Sequence, residues 1–223
     1  MLQLIRFEIK KASLFRIISV LMVVNIALIW ILYMAIGNVK ITYKYLFQII
    51  DSMMIILYCI LSSVLYSKYV LDDIIGNKFY FYQRYPIKLN RIIWSKLLIV
   101  IFGALILSIL SYIFVASGVI LLKVVFIKTV YGFSKGWFYN KIIQIIILSC
   151  CYNLIGLLPA LISAITKSKI MMLSISTILG IALNSIGENV FTSLINRTIL
   201  LLVSMSIIQL IIVVYKIDKN LIE

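Results

Sequence analysis

The chain is built from long apolar runs separated by short polar segments that are mostly basic. Each run approaches the roughly 20 apolar residues with which an α-helix crosses the hydrocarbon layer of a bilayer. Because the runs are continuous and do not alternate with a period of two, they favour helices over the strands of a membrane barrel. The pattern predicts an all-α, polytopic membrane protein with six transmembrane helices. The predicted spans cover residues 17–36, 46–66, 97–122, 142–165, 170–186 and 198–215.

Two local patterns add detail to these spans. Residues 1–16 are amphipathic, with Leu4 and Ile9 on one side of a helix and the charged residues largely on the other. This pattern is typical of a helix that lies on the membrane surface. Gly156 and Pro159 lie within the fourth predicted span, where they predict a kink because proline removes one helical hydrogen bond.

Composition and charge also indicate a membrane protein. The 223 residues are 64% hydrophobic and 13% charged, against about 45–50% and about 25% in soluble domains. The net charge is +14, and the basic residues lie between the apolar runs. Membrane topology and anionic lipid headgroups explain this arrangement better than nucleic acid does, so we expect lipids and no nucleic acid among the partners.

The distribution of Lys and Arg gives the spans a direction. Of these 21 residues, 14 lie in the N-terminal segment, the 67–96 segment, the 166–169 turn and the C-terminal tail. Because positively charged loops stay on the cytoplasmic side, both termini are predicted to be cytoplasmic, which requires an even number of spans. The 123–141 segment places four lysines on the opposite side, so it is either an outer loop or partly embedded in the membrane.

The sequence lacks the residues that several kinds of chemistry need. It has no histidine, which excludes His-ligated metal sites and His general bases. It has no GxxxxGK[ST] phosphate-binding loop, so any ATP hydrolysis belongs to another polypeptide. The three cysteines lie inside apolar runs and are interpreted as small packing residues. We therefore expect no enzymatic activity, no metal site and no cofactor.

Residues 67–96 form the longest predicted cytoplasmic segment, and their order is specific. Asp72 and Asp73 favour a helix N-terminus through the helix macrodipole, and Pro86 discourages helix at the residue before it. A short amphipathic helix with aromatic side chains is therefore predicted between the acids and the proline. Composition alone also fits an interfacial loop with aromatic anchors and cytoplasmic cations.

The order of residues in this segment resembles that between spans two and three of ABC-2-type transporter permeases. The family pattern runs from an acid through Gly-Thr and an apolar stretch to Pro-Ile-Ser-Arg, and then to Lys-Leu-Leu. The matching residues are Asp73, Gly76, Pro86, Ile87, Arg91, Lys96, Leu97 and Leu98. The departures are Asn77, Leu89 and Ser95, where the family pattern has threonine, arginine and glycine.

The resemblance implies a permease subunit in the bacterial cytoplasmic membrane, paired with a second copy or a paralogue and docked on separate ABC ATPase subunits. The 72–84 segment would be the coupling helix, and the N-terminal amphipathic helix would contact the same ATPase. The implied coupling residues are Asp72, Asp73, Gly76, Asn77, Phe79, Tyr80, Pro86, Arg91 and Lys96. Six-span chains of this length and Ile/Lys content are similar to permeases for lantibiotic immunity or for export of antimicrobial or amphipathic peptides.

Polar residues inside the spans are costly in lipid, so each is a candidate for function. Asp51 is the only acid within a predicted span, and it either reaches the outer interface or lines a cavity that attracts cationic peptides. Asn25 and Asn153 are either cavity-lining residues or interhelical hydrogen-bond partners.

Other functions remain open at this level. One is the substrate-capture membrane component of another importer, although the small-xxx-small pattern expected in its first span is missing here. Another is a membrane sensor or scaffold that transports nothing. A membrane protease is disfavoured, because the chain lacks histidine and has few acids within its spans.

Overall fold

The computed structural model describes residues 14–36, 41–75, 89–127, 130–131, 135–166, 168–187, 205–206 and 208, and these residues are almost entirely helical. The helices are α1 (Leu14–Ile36), α2 (Tyr43–Tyr66), α3 (Asp72–Ile75), α4 (Leu89–Ile127), α5 (Lys135–Ile155), α6 (Ala160–Thr166) and α7 (Lys169–Gly187). A π-helical turn, Ser67–Leu71, joins α2 to α3. Two short strands, β1 (Ile41–Thr42) and β2 (Val130–Tyr131), pair in parallel.

Three helical stretches in the described part of the chain are long and apolar enough to cross a membrane. They are Ile17–Met34, Tyr45–Leu71 and Ile92–Leu122. Two further apolar helices, Tyr139–Ile155 and Lys169–Asn184, are shorter. The predicted all-α fold with membrane-spanning helices is confirmed to this extent, and the count of six spans stays a prediction. The predicted 1–16 helix and 198–215 span lie almost wholly outside the described residues.

Two predicted boundaries are corrected by the helices. The 123–141 segment was expected to be a loop, but α4 continues to Ile127 and α5 already begins at Lys135. Polar residues set the expected boundary, yet lysine is a good helix former and does not itself end a helix. The second boundary is the C-terminal end of α2. Ser67–Leu71 was assigned to a cytoplasmic segment, but it continues the helix and is mostly buried.

The predicted kink is present as a break between two helices. The fourth predicted span consists of α5 and α6, with a turn at residues 156–159 between them. Within the turn, the amide of Leu157 donates to the carbonyl of Leu154 at 3.1 Å, which is a tighter spacing than that of an α-helix. Pro159 has no amide hydrogen to continue the helical ladder, which explains why the helix stops here.

Helix α2 lies at the centre of the bundle. It packs against α4, α5 and α7, whereas α1 packs mainly on α4. In the apolar window of α2, 67% of residues are buried, against 11% in that of α1. Two glycines allow other segments to approach α2 closely. Gly156 lies against Cys59 and Ser62, and Gly180 lies against Ile56.

Candidate functional site

A buried ion pair joins α2 to α5 near the end of the bundle where the β-strands lie. The ammonium of Lys141 contacts Oδ2 of Asp51, and each residue is only 8% exposed. The hydroxyl of Tyr112, on α4, donates to Oδ1 of the same carboxylate at 2.7 Å. Lys141 also donates to Oε1 of Gln144 at 3.3 Å. Three helices therefore meet at one carboxylate.

This geometry changes the interpretation of Asp51. The carboxylate is buried between helices and neutralised by an ammonium of the same chain. Any cationic ligand attracted by Asp51 must therefore displace Lys141. The sequence reasoning missed Lys141, which was assigned to a loop. Its position immediately before the apolar run that starts at Ile142 was the available signal.

A second set of ion pairs lies at the opposite end of α2. Asp73 pairs with Lys96 of α4, and both side chains are nearly inaccessible to solvent. Its neighbour Asp72 pairs with Lys169 of α7, and those side chains are 36% and 49% exposed. Two consecutive acids thus tie the end of α2 to two different helices.

The acids lie in the first turn of α3, but this helix does not begin with a free N-terminus. The helical backbone passes from α2 through the π-helical turn into α3, and the amide of Asp72 donates to the carbonyl of Ser67. That amide is therefore not one of the free donors at a helix N-terminus that a macrodipole argument requires. Pairing with Lys96 and Lys169 accounts for the positions of Asp73 and Asp72 instead.

Most of the other predicted coupling residues lie outside the described part of the chain. These are Gly76, Asn77, Phe79, Tyr80 and Pro86. Arg91 lies in the first turn of α4. Asp73 and Lys96, which do belong to the described part, are buried against each other. Their burial favours a role in joining the two ends of this segment over direct contact with another subunit.

The two candidate asparagines make interhelical hydrogen bonds. Oδ1 of Asn25, on α1, accepts from the hydroxyl of Ser111 on α4 at 2.6 Å. Nδ2 of Asn153, on α5, donates to Oγ of Ser108 on α4 at 3.0 Å and to the carbonyl of Ser149 at 2.7 Å. Both asparagines are buried, so these contacts favour the packing interpretation over the cavity-lining one.

Removing the Ser111 hydroxyl tests that packing role. We expect Ser111→Ala to lower the free energy of unfolding by about 0.6 kcal/mol and by no more than about 2 kcal/mol, as is usual for hydrogen bonds between membrane helices. Ser117→Ala is the control, because this exposed hydroxyl bonds only within α4, to the carbonyl of Phe114. Denaturant unfolding in bicelles measures both variants. Equal stability of the two would contradict a role for the Asn25 contact.

No family model, no curated protein and no solved structure matches this chain. The described residues also hold no group of three or more His, Cys, Asp and Glu side chains that would suit a metal ion. The described residues therefore define a helical protein with three helices that are long and apolar enough to span a membrane. In the same part of the chain, a buried ion pair joins two helices near each end of α2.

Proposed function

We propose that the chain is the transmembrane permease subunit of an ATP-driven ABC-2-type exporter in a bacterial cytoplasmic membrane. It moves antimicrobial or other amphipathic peptides out of the cell or the membrane, and a separate ATPase supplies the energy. The observation that carries the proposal is the buried contact between Asp73 and Lys96. These residues stand near the two ends of the pattern that resembles the family's coupling segment, so their contact brings those two ends together.

The proposed coupling follows from the contact between Asp73 and Lys96. Because this contact joins the end of α2 to α4, a force applied by an ATPase to the 72–84 region reaches both helices together. The pair between Asp72 and Lys169 passes the same force to α7. Since α2 packs against α4, α5 and α7, its movement changes the packing of the whole bundle.

Contacts between segments that were predicted on the same side of the membrane support the proposed topology. The strand pairing joins Ile41 to Val130, and both residues belong to segments predicted to lie outside. The pairs of Asp72 and Asp73 join segments predicted to lie inside. This agreement supports the proposed placement of these segments relative to one another, whereas the assignment of the cytoplasmic side rests on the Lys and Arg count.

Survival of the native bacterium under peptide challenge tests this function. We expect deletion of the gene to lower the inhibitory concentration of at least one cationic antimicrobial peptide several-fold, and the wild-type gene to restore it. Gly76→Val changes a residue of the resembling pattern and is expected not to restore resistance. Gly103→Ala is the matched control, because among the described residues no atom beyond its chain neighbours and its own helix backbone lies within 4 Å of the added methyl group. Full complementation by Gly76→Val at equal membrane expression would contradict the proposed coupling.

A further inference from the structure

The π-helical turn between α2 and α3 contains one residue more than an α-helical turn. The amide of Asp72 donates to the carbonyl of Ser67, whereas an α-helix would bring the amide of Leu71 to that carbonyl. Every residue after the turn is therefore set back by one position relative to a continuous α-helix, which is about 100° around the helix axis. The first two residues after the turn are the acids that form both ion pairs at this end of α2.

The burial pattern of α2 shows what the extra residue does. From residue 56 to residue 72, every fourth residue is half-buried and all residues between are buried. The half-buried residues are Ile56, Ile60, Val64, Lys68 and Asp72. In an α-helix, a spacing of four residues advances by about 40° at each step, so the half-buried side moves around the helix. The π-helical turn interrupts this advance, which leaves Asp72 facing α7 and Asp73 facing α4.

Two consecutive acids give the buried lysine of α4 a partner in a second register. If the turn became α-helical, every later residue would advance by one position, and Asp72 would take the present place of Asp73 beside Lys96. Leu71 would take the place of Asp72 beside Lys169. An unpaired buried ammonium is very costly, so a movement that keeps a carboxylate beside Lys96 is far less costly than one that does not.

We propose that Ser67–Leu71 is a conformational switch with two registers. In the π register, which the structure shows, Asp73 pairs with Lys96 and Asp72 with Lys169. In the α register, Asp72 pairs with Lys96, Lys169 is released, and α3 turns by about 100° and advances by about 1.5 Å along the axis. The π register is the resting one, because the shift breaks one ion pair and moves Leu71 out of full burial. Use of this switch by an ATPase rests on the proposed function, whereas the two registers belong to the chain itself.

Cysteine cross-linking detects the α register. Leu71→Cys/Lys169→Cys is introduced into the full-length chain, with its native cysteines replaced by alanine, and the disulfide yield is measured after mild oxidation in detergent. We expect Asp73→Asn to raise this yield several-fold, because the shift then restores a carboxylate to Lys96.

A matched control separates this shift from general loosening of the bundle. Asp73→Asn/Lys96→Met contains no buried ammonium that needs a partner, so its cross-linking should stay at the level of the parent cysteine pair. An equal increase with and without Lys96→Met, or no increase in Asp73→Asn, would overturn the switch.

Deletion of one residue tests the register independently. Lys68 is the half-buried residue of the turn, and its removal compensates for the extra position. An α-helical turn would then present Asp73 to Lys96 as the π-helical turn does now. We expect the deletion of Lys68 to melt within a few degrees of Lys68→Ala. Deletion of Ile56, which is also half-buried, should melt far below Ile56→Ala, because it rotates the buried residues that follow it in α2.

The deletion also removes the switch, because the residue that the shift requires is gone. In the chain without Lys68, Asp73→Asn should no longer raise cross-linking between positions 71 and 169. A deletion of Lys68 that unfolds the bundle as deletion of Ile56 does, or an undiminished rise in cross-linking, would contradict the two registers. None of these measurements needs an ATPase, so a positive result stands if no such partner exists. A negative result overturns the switch and leaves the proposed transport function to its own test.

Discussion

Replacement of Gly156 by valine is expected to prevent stable folding of the helix bundle. A Cβ atom at this position would lie 2.6 Å from the carbonyl oxygen and 2.7 Å from the Cα of Cys59, and would also meet the hydroxyl of Ser62. The obstructing atoms of Cys59 belong to the backbone, so no side-chain rotation relieves the clash. Overpacking of a well-filled core costs about 1–3 kcal/mol, and a backbone clash at the central helix lies at or above the top of that range. Even Gly156→Ala should be strongly destabilising.

Three other glycines provide graded controls for this prediction. Gly180→Ala should be intermediate, because its Cβ would lie 3.1 Å from the Cα of Ile56. Gly118→Ala should cost less, because it meets only the side chain of Ile29, which can move. Gly103→Ala should be neutral or slightly stabilising, because its methyl group would contact no other helix in the described part of the chain and alanine is the better helix former.

Thermal unfolding with a thiol-reactive dye measures this series directly. Cys59 is buried at the contact with Gly156 and becomes reactive when the bundle opens. We expect melting temperatures to fall in the order Gly103→Ala, Gly118→Ala, Gly180→Ala, Gly156→Ala. If Gly156→Ala and Gly103→Ala have the same melting temperature, the result contradicts the close approach of α2 to the turn at 156–159.

Replacement of Asp73 by asparagine is the second change with a large expected effect. It leaves the ammonium of Lys96 buried beside a group that carries no charge. Removal of one partner of a buried ion pair typically costs about 3–5 kcal/mol, because the remaining charge is uncompensated. Asp72→Asn is the matched control on the next residue. Its pair with Lys169 is partly exposed, so its loss should cost less than about 1 kcal/mol.

A double variant separates loss of the pair from loss of the acid. Asp73→Asn/Lys96→Met removes both charges, and we expect it to regain most of the stability lost by Asp73→Asn alone. The three variants and the wild type are compared by denaturant unfolding in the same detergent. A double variant that is less stable than Asp73→Asn would show that Lys96 is stabilised mainly by groups other than Asp73.

The helices were largely predictable because lipid imposes a simple requirement on length and polarity. The apolar run at 17–36 corresponds to α1 (Leu14–Ile36), and Pro159 marked the break between α5 and α6. Helix ends were less predictable. The sequence shows where polarity rises, but lysine is compatible with helix, and α5 begins at Lys135 and continues through Lys141.

The partners of the buried charges were not predictable from the sequence. Asp51 stood out because a charge within a predicted span is unusual, and Asp73 stood out because it matches the acid of the resembling pattern. Their partners depend on which helices pack together, and Lys141 is separated from Asp51 by 90 positions in the chain. An isolated sequence gives the spacing of charges along each helix, but it does not give the distance between helices.

The proposed class requires a separate motor, because the chain itself carries no phosphate-binding loop for ATP. Purification of the affinity-tagged chain from its native membranes in mild detergent, followed by mass spectrometry, is the most direct measurement. We expect a stoichiometric partner that contains a GxxxxGK[ST] motif, retained by Gly103→Ala and lost or weakened by Gly76→Val. Recovery of the folded chain alone, with no ATP-binding subunit, would contradict the assignment as an ABC-2-type permease.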